Sequence, residues 1–417
     1  MRIEAEQYGG VCSCGAEHQM ATQLCVIESD ALVRFESYLE EVSAQSCRRC
    51  VVYDRNTYCA QGLRRPRADQ EIVLDPEGLH ANEISTAQVL AALEPDVRLL
   101  VAVGGGTVHD IVRYCAKQRE LPFVSVPTAA SCDGFCSNVA AMTWEGYKNT
   151  MPCVAPLLVV ADLTVISRAP AFLTASGVGD MLGKYTALAD WQISHLVTGE
   201  VVCEKIFSIM QDAVQCVWEH SPETLQGSLE AYEAVIYGLL MSGLAIQLLG
   251  TSRPASGGEH HISHLIETEP AALGVHSPAL HGEKVGVGTV MASAEYRRMA
   301  QVEDIAPHVV PYRPIDQSWL KEFFGGALYE VARRENEKDC LAAVTPQAIV
   351  RAWPEIRRVV EQIPPAEDID RLLQTLGAKR TLEDLEVPQS LHQTLLDTSP
   401  LIRNRLTLMR MRRMIRV

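Results

Sequence analysis

Val101-Ala102-Val103-Gly104-Gly105-Gly106-Thr107-Val108-His109-Asp110 is the stretch whose reading decides the fold. An apolar run at 99–103 (LLVAV) stops at three consecutive glycines, and a helical pattern over 108–118 follows at once. Strand, glycine turn and helix in this order bring backbone amides and the positive end of a helix dipole to one point, which suits a phosphate or pyrophosphate. Thr107 adds a hydroxyl. The spacing is not the GxGxxG of ordinary dinucleotide folds, so the standard fingerprint is absent.

Outward from this turn, the first half alternates between short apolar runs and helical periods. Strands are expected at 50–54 (CVVYD), 71–74 (EIVL), 123–126 and 157–161 (LLVVA), with helical patterns around 32–42 and 87–93. The runs are continuously apolar rather than alternating, which predicts a parallel sheet covered on both faces. After about residue 165 such runs disappear, and 180–196, 204–218, 229–249, 258–267 and 282–299 all read as helices. The fold class expected is therefore an α/β N-terminal Rossmann-like domain with a parallel sheet over 1–165, then an all-α domain over 166–417, with the active site in the cleft between them. The end of the chain, 401–417, carries six arginines and no acid, and reads as a terminal helix with a solvated basic face.

A net charge of −15 over 417 residues argues against a nucleic-acid partner. The most apolar stretch, 234–250, contains three glycines and is shorter than the ~20 residues a spanning helix needs, so a core helix is expected rather than a membrane span. Glu4 and Glu6 stand where a secretion signal would be basic and then apolar, and the thirteen cysteines are odd in number, so reduced thiols in a cytoplasmic protein are expected. Cys12, Cys14 and His18, with Cys47 and Cys50, contain the residue types of a structural zinc site. Neither group has a standard finger spacing, and Cys50 falls in an expected strand.

The second chemical signal is 252–284, which holds five of the twelve histidines: His260, His261, His264, His276 and His281. His260 and His264 share a face of one helix, and His281 opens a His-Gly-Glu-Lys run after Pro278. Neutral imidazoles from two neighbouring segments suit a zinc, nickel or iron ion. Asp180, in Gly177-Val178-Gly179-Asp180, is a carboxylate that can join them, and Lys184 lies one turn further along. Asp54 ends an expected strand, where an acid can bind ribose hydroxyls or cap a turn. Small hydroxyl residues follow the strand at 123–126, in Pro127-Thr128-Ala129-Ala130-Ser131-Cys132-Asp133-Gly134-Phe135-Cys136-Ser137.

Taken in order, GGGTxxD, PTxxSxDGxxS, GxGDxxxK and HxxxH followed by HGEK resemble the superfamily of iron-dependent alcohol dehydrogenases, glycerol dehydrogenases and dehydroquinate synthases. Asp133 in SCDGFCS, Lys184 followed by Ala189-Asp190-Trp191, the run 252–257 and Glu259-His260-xxx-His264 are similar to the sn-glycerol-1-phosphate dehydrogenase family. The resemblance covers about residues 10–300. It implies a metal site of Asp180, His260 and His281. It implies a pyrophosphate loop of Gly104, Gly105, Gly106, Thr107, Val108, His109 and Asp110. Thr128, Ala129, Ala130, Ser131 and Ser137 would line the nicotinamide, and Asp54 would touch the adenosine end. Asp133 and His264 would meet the substrate, while Lys184 and Arg253 are candidates, on charge alone, for its phosphate.

The expected reaction is reduction of dihydroxyacetone phosphate to sn-glycerol 1-phosphate with NAD(H) or NADP(H) and one divalent zinc, nickel or iron ion. A homo-oligomer is expected, a dimer favoured. The competing readings are a glycerol dehydrogenase acting on an uncharged polyol, a dehydroquinate-synthase-like cyclase, and a catalytically silent nucleotide- or metal-binding protein. Asp180 in place of a glutamate speaks against the cyclase.

Overall fold

The computed structural model describes residues 1–417. Seven strands form one sheet: β1 (Arg2–Glu4), β2 (Leu24–Glu28), β3 (Arg49–Asp54), β4 (Gln70–Leu74), β5 (Leu99–Gly104), β6 (Phe123–Pro127) and β7 (Leu158–Asp162). Their order is β1-β2-β7-β6-β5-β3-β4, with β1 antiparallel to β2 and the other pairs parallel. Val101 pairs with Val51 on one side and Val124 on the other. The continuous apolar runs have the predicted cause. Val51, Tyr53, Val101, Val103, Val124 and Val126 pack on Phe35, Tyr38 and Leu39 across one face. Cys50, Val52, Leu100, Ala102 and Phe123 pack on Val89, Ile111, Val112 and Cys115 across the other. Each such fully buried side chain contributes about 1.5–3 kcal/mol. The carboxyl end of β5 lies where the strand order reverses, the place where open α/β sheets form ligand crevices.

Six helices carry the rest of the argument: α1 (Gly106–Gln118), α2 (Ala171–Thr198), α3 (Glu204–His220), α4 (Leu229–Leu249), α5 (Gly258–Thr268) and α6 (His281–Ala300). The chain divides into two compact units, and neither is a contiguous half. Unit 1 comprises 1–181 and 215–251; unit 2 comprises 182–214 and 252–417. The expected boundary at 165/166 is thereby corrected, because α4 belongs with the sheet. This helix is apolar nearly all round, and its Gly243 lies so close to the 133–137 turn that a Cβ would stand 2.9 Å from the Cys136 carbonyl carbon. Gln247 in its last turn donates to Thr22 Oγ1 at 2.8 Å and to the Cys136 carbonyl. By length and composition α4 is long and apolar enough to cross a membrane, and 83% of its most apolar window is buried.

One element is new and one further expectation changes. A hairpin, Val139–Trp144 with Tyr147–Pro152, follows the hydroxyl-rich loop, turning at Glu145 and Gly146 with left-handed backbone. The arginine-rich end is not a solvated helix. Arg410 is fully buried, with its guanidinium on Asp339, Asn336 and the Pro400 and Arg403 carbonyls. Arg405 is held by Ser252 and Ser256. Short helices and turns aim these side chains inward, where a single amphipathic helix would have faced them to water.

Candidate functional site

In unit 1 the glycine loop lies between the end of β5 and the start of α1. Gly105 is the N-cap of α1 and no side chain caps the helix, so its first amides are offered to an anion. The glycines are required by close approach. A Cβ on Gly104 would lie 3.0 Å from Val108 Cγ2, and one on Gly106 would lie 2.7 Å from Cys132 Sγ. The Thr128 N–H donates to the Gly104 carbonyl at 3.1 Å, which ties the two strand-end loops together. Thr107 and Ser131 are half-buried on these loops, and Ala129 and Ala130 are buried.

Val108 and His109 turn inward. Val108 joins the core, and His109 packs edge-on against Phe135 with Nδ1 2.9 Å from the Gly105 carbonyl. Burial lowers the His109 pKa to about 3, so this ring is neutral and supports the loop from beneath. Asp110 is paired at 2.6 Å with the buried Arg113, whose guanidinium also reaches the Gly134, Phe135 and Val139 carbonyls and so fixes the turn of the next loop. Arg113 was not singled out in the sequence, although Asp110 and Arg113 at helical spacing were visible. Ser137 is also turned inward, its hydroxyl oxygen accepting from the Val139 N–H at 3.1 Å, so its side chain ends a turn. Asp54 accepts from the Thr57 N–H at 2.9 Å and the Thr57 hydroxyl at 2.8 Å, and it stands beside Gly104. It is both a helix cap and a carboxylate at a strand end.

The hydroxyl-rich loop is clamped by α2 and α4. Gly177 is in van der Waals conflict with any added Cβ, which would meet the Ala130 carbonyl oxygen at 2.0 Å. The Asp133 N–H donates to Asp180 Oδ2 at 3.1 Å, and the Ser242 hydroxyl donates to Asp133 Oδ2 at 2.7 Å. Asp180 is fully buried on α2, with one carboxylate oxygen oriented by backbone. Ser242 is a second residue that sequence reasoning missed, since it sits within the apolar run of α4.

In unit 2 three imidazoles gather. The ring centroids of His260 and His281 are 5.4 Å apart, those of His264 and His281 5.5 Å, and those of His260 and His264 6.0 Å. A Cβ on Gly288 of α6 would meet the Glu259 carbonyl at 2.6 Å, so glycine lets α5 and α6 approach closely enough to bring their histidines together. His281 is the first residue of α6, and Glu283 fixes that start by accepting from the Leu280 N–H at 2.7 Å. Each imidazole has a carboxylate behind it. His260 Nδ1 lies 2.7 Å from Glu259, His281 Nδ1 2.9 Å from Glu267, and His264 Nδ1 3.2 Å from the other oxygen of Glu267. This arrangement fixes the tautomer that presents Nε2 as a ligand.

Burial alone would raise the Glu259 carboxyl. Hydrogen bonds from His260, Thr186 and the Gly257 N–H hold it below the usual carboxylate range. Burial lowers the His264 pKa to about 3 despite Glu267, so His264 is neutral. His264, Glu267 and His281 have donor atoms within 4.8 Å of one another, but Glu267 already spans two Nδ1 atoms and is better placed to orient them than to bind an ion. Glu259 and Glu267 were legible in EHHISHLIE, where each sits on the helix turn of a histidine.

Lys184 is fully buried on α2, one turn beyond Asp180. Between them Gly183 packs on Glu259 and Val285. Lys284, also missed, is buried and donates to the Ala279 carbonyl at 2.7 Å. Arg253 departs from its expected role. Its guanidinium forms a two-bond pair with Glu200 at 3.0 Å and donates to the Asp190 and Leu406 carbonyls, so its charge is matched within the helical unit instead of being kept for a phosphate. His261 is buried in packing and His276 is exposed beside Glu269.

Known proteins resemble this chain in sequence and in fold. The sequence pattern of iron-containing alcohol dehydrogenases matches residues 26–170. Glycerol-1-phosphate dehydrogenase [NAD(P)+] of Bacillus licheniformis is 37% identical over 70% of this chain and 74% of that protein. Its counterpart in Halalkalibacterium halodurans is 31% identical over 97% of this chain and 96% of that protein. Among solved structures, a probable glycerol dehydrogenase from Sinorhizobium meliloti aligns over 92% of this chain and 90% of its own, with a TM-score of 0.60 at 18% identity. An iron-containing alcohol dehydrogenase from Corynebacterium glutamicum gives the same TM-score over 94% and 91% at 16% identity, a likeness of fold. On the strength of the two near-full and three-quarter matches, this chain belongs to the glycerol-1-phosphate dehydrogenase family of the iron-containing alcohol dehydrogenase superfamily.

Proposed function

We propose that this chain reduces dihydroxyacetone phosphate to sn-glycerol 1-phosphate with NADH or NADPH, using one divalent cation held by Asp180, His260 and His281. The observation that carries the reading is the imidazole cluster, in which Glu259 and Glu267 take the Nδ1 side of each ring. One carboxylate and two neutral imidazoles are a donor set that leaves positions open for substrate. When bound, the cation supplies Lewis-acid polarisation of the ketone oxygen and the dihydronicotinamide supplies hydride.

The chain's own residues do the rest. The uncapped amides of α1 and the Thr107 hydroxyl hold the pyrophosphate, with His109 bracing them. Thr128 and Ser131 line the dinucleotide beside Gly104, and Asp54 receives the ribose while disfavouring a 2′-phosphate. Asp133, fixed by Ser242, accepts from a substrate hydroxyl. His264, neutral with its Nδ1–H on Glu267, accepts a hydrogen bond from the substrate at Nε2, and water returns the proton that reduction of the ketone requires. Lys184 supplies positive charge for the phosphate. Zinc, nickel and iron all suit the donor set, and reconstitution with each ranks them. The reading includes a cytoplasmic homodimer, which sedimentation tests for assembly.

The test is NADH oxidation with dihydroxyacetone phosphate against dihydroxyacetone. A kcat/KM at least about a hundredfold higher for the phosphate, some 3 kcal/mol, is expected. Equal values would return the assignment to a glycerol dehydrogenase. No turnover of either would leave a nucleotide-binding protein.

A further inference from the structure

We propose that Cys12, Cys14 and His18 are ligands of a second, structural cation site that takes zinc. They lie on a small hairpin, Gly10–Val11 with Glu17–His18, joined by only two residue pairs. Val11 is 91% exposed, and the hairpin has no apolar core of its own. A ribbon this short is marginal in water without another source of stability. Its turn is nevertheless well defined. The Cys12 N–H donates to the Ala16 carbonyl and the Gly15 N–H to the Cys12 carbonyl, both at 3.0 Å, with Gly15 at φ +88°.

This turn brings the two sulfurs and one ring nitrogen of His18 within 4.8 Å of one another. The Cys14 Sγ to His18 Nε2 separation is 3.4 Å. In a tetrahedron with Zn–S of about 2.3 Å and Zn–N of about 2.0 Å, the sulfur–nitrogen edge is about 3.5 Å. The histidine also shows the required tautomer. Its Nδ1 lies 2.7 Å from the Leu248 carbonyl, which can only accept, so Nδ1 carries the proton and Nε2 presents its lone pair to the sulfur side. That carbonyl belongs to the last turn of α4, and the segment beyond His18 is anchored to the same turn. Gln247 Oε1 accepts from the Ala21 N–H at 3.1 Å, and Gln247 Nε2 donates to Thr22 Oγ1. His18 is therefore a buried ligand on a rigid base, and the two thiols fold over it.

Thiolate with imidazole favours zinc over magnesium or calcium. Cys47 and Cys50 do not belong to this site, since Cys50 is sealed in the sheet core. None of the thirteen cysteines is in a disulfide, so both sulfurs are available as ligands. The role is a staple that holds the 10–18 hairpin against the end of α4.

Cobalt titration of the full-length, reduced protein tests this. Thiolate-to-cobalt charge-transfer absorption in the near ultraviolet is expected, which the sulfur-free set of Asp180, His260 and His281 cannot produce. The Cys12→Ser/Cys14→Ser double variant should lose that absorption and one equivalent of bound zinc per chain, while kcat for dihydroxyacetone phosphate stays within about twofold. Should the double variant fold poorly, Cys12→Ser alone should weaken the band. Absence of the band from the native protein, or its persistence at full strength in either variant, would overturn the proposal.

Discussion

In unit 1 the candidate cofactor loop is made of backbone, whereas in unit 2 the imidazole cluster is made of side chains. The first works because atoms are missing: Gly104, Gly106 and Gly177 leave room for neighbouring loops that a single methyl would fill. The second works because polar atoms are present in excess of what a core would tolerate. His260, His264, Glu259 and Lys284 are all buried within one helical layer, each matched to a partner. Burying such groups costs free energy unless every one is satisfied, so their arrangement is specified far more tightly than that of an apolar core. The two regions should therefore fail in opposite ways, the one by adding atoms and the other by removing them.

The largest effect is expected from removal in unit 2. His260→Ala should lower kcat roughly a thousandfold, in keeping with several kcal/mol of charge stabilisation, and should empty the metal site in elemental analysis. Full metal occupancy in this variant would break the ligand assignment. A smaller loss should follow from Glu259→Gln, which keeps the ligand and weakens its support. Metal affinity should fall by about 10- to 100-fold, with activity restored by excess metal.

Addition is the test in unit 1. Gly106→Ala would place a methyl 2.7 Å from Cys132 Sγ. The KM for the dinucleotide should rise by about tenfold, or 1.4 kcal/mol, and Cys132→Ala in the same chain should recover most of it. Failure of that rescue would mean that the glycine serves backbone freedom rather than proximity.

The smallest effect concerns pH. Burial, with Glu259 nearby, pushes the Asp190 pKa up to about 7. A carboxyl whose folded pKa is raised binds its proton more tightly when folded. Its contribution to stability is thus complete below the unfolded value near 4 and is lost as pH rises through about 7. The melting temperature of the protein should decline from pH 5 to pH 8 on this account. Asp190→Asn should flatten that decline while lowering the melting temperature throughout, because an amide cannot accept from both the Leu408 and Gly258 N–H groups that Asp190 now serves at 2.7 and 2.8 Å as well as from Tyr296. An unchanged pH slope in the variant would remove Asp190 as its cause.

The contrast also explains what could be read in advance. The central strands β5, β6 and β7 were legible because residues buried on both faces are nearly all apolar, and the glycine turn was legible because close approach admits one residue type. The imidazole pair on α5 was legible from helical spacing alone. Other features were not. Arg253 is a conspicuous cation next to a histidine run, yet its charge is matched by Glu200, which lies far from it in sequence. The arginines of the last turns looked solvated because nothing local shows that Asp339 is waiting for Arg410 at 2.8 Å. The unit boundary was missed because α4, though late in the chain, is apolar enough to be the floor of the sheet's own unit.

The sequence by itself determined the α/β-then-α order, the glycine turn between strand and helix and the shared helix face of His260 and His264, because each follows from local periodicity or from a residue with no substitute. Only the tertiary structure decided which carboxylate stands behind which imidazole, which cations are spent on partners, and that Cys12 and Cys14 face His18. Hydrogen bonds and ion pairs act over about 3 Å, and the chain separation between partners at that distance is set by folding rather than by spacing.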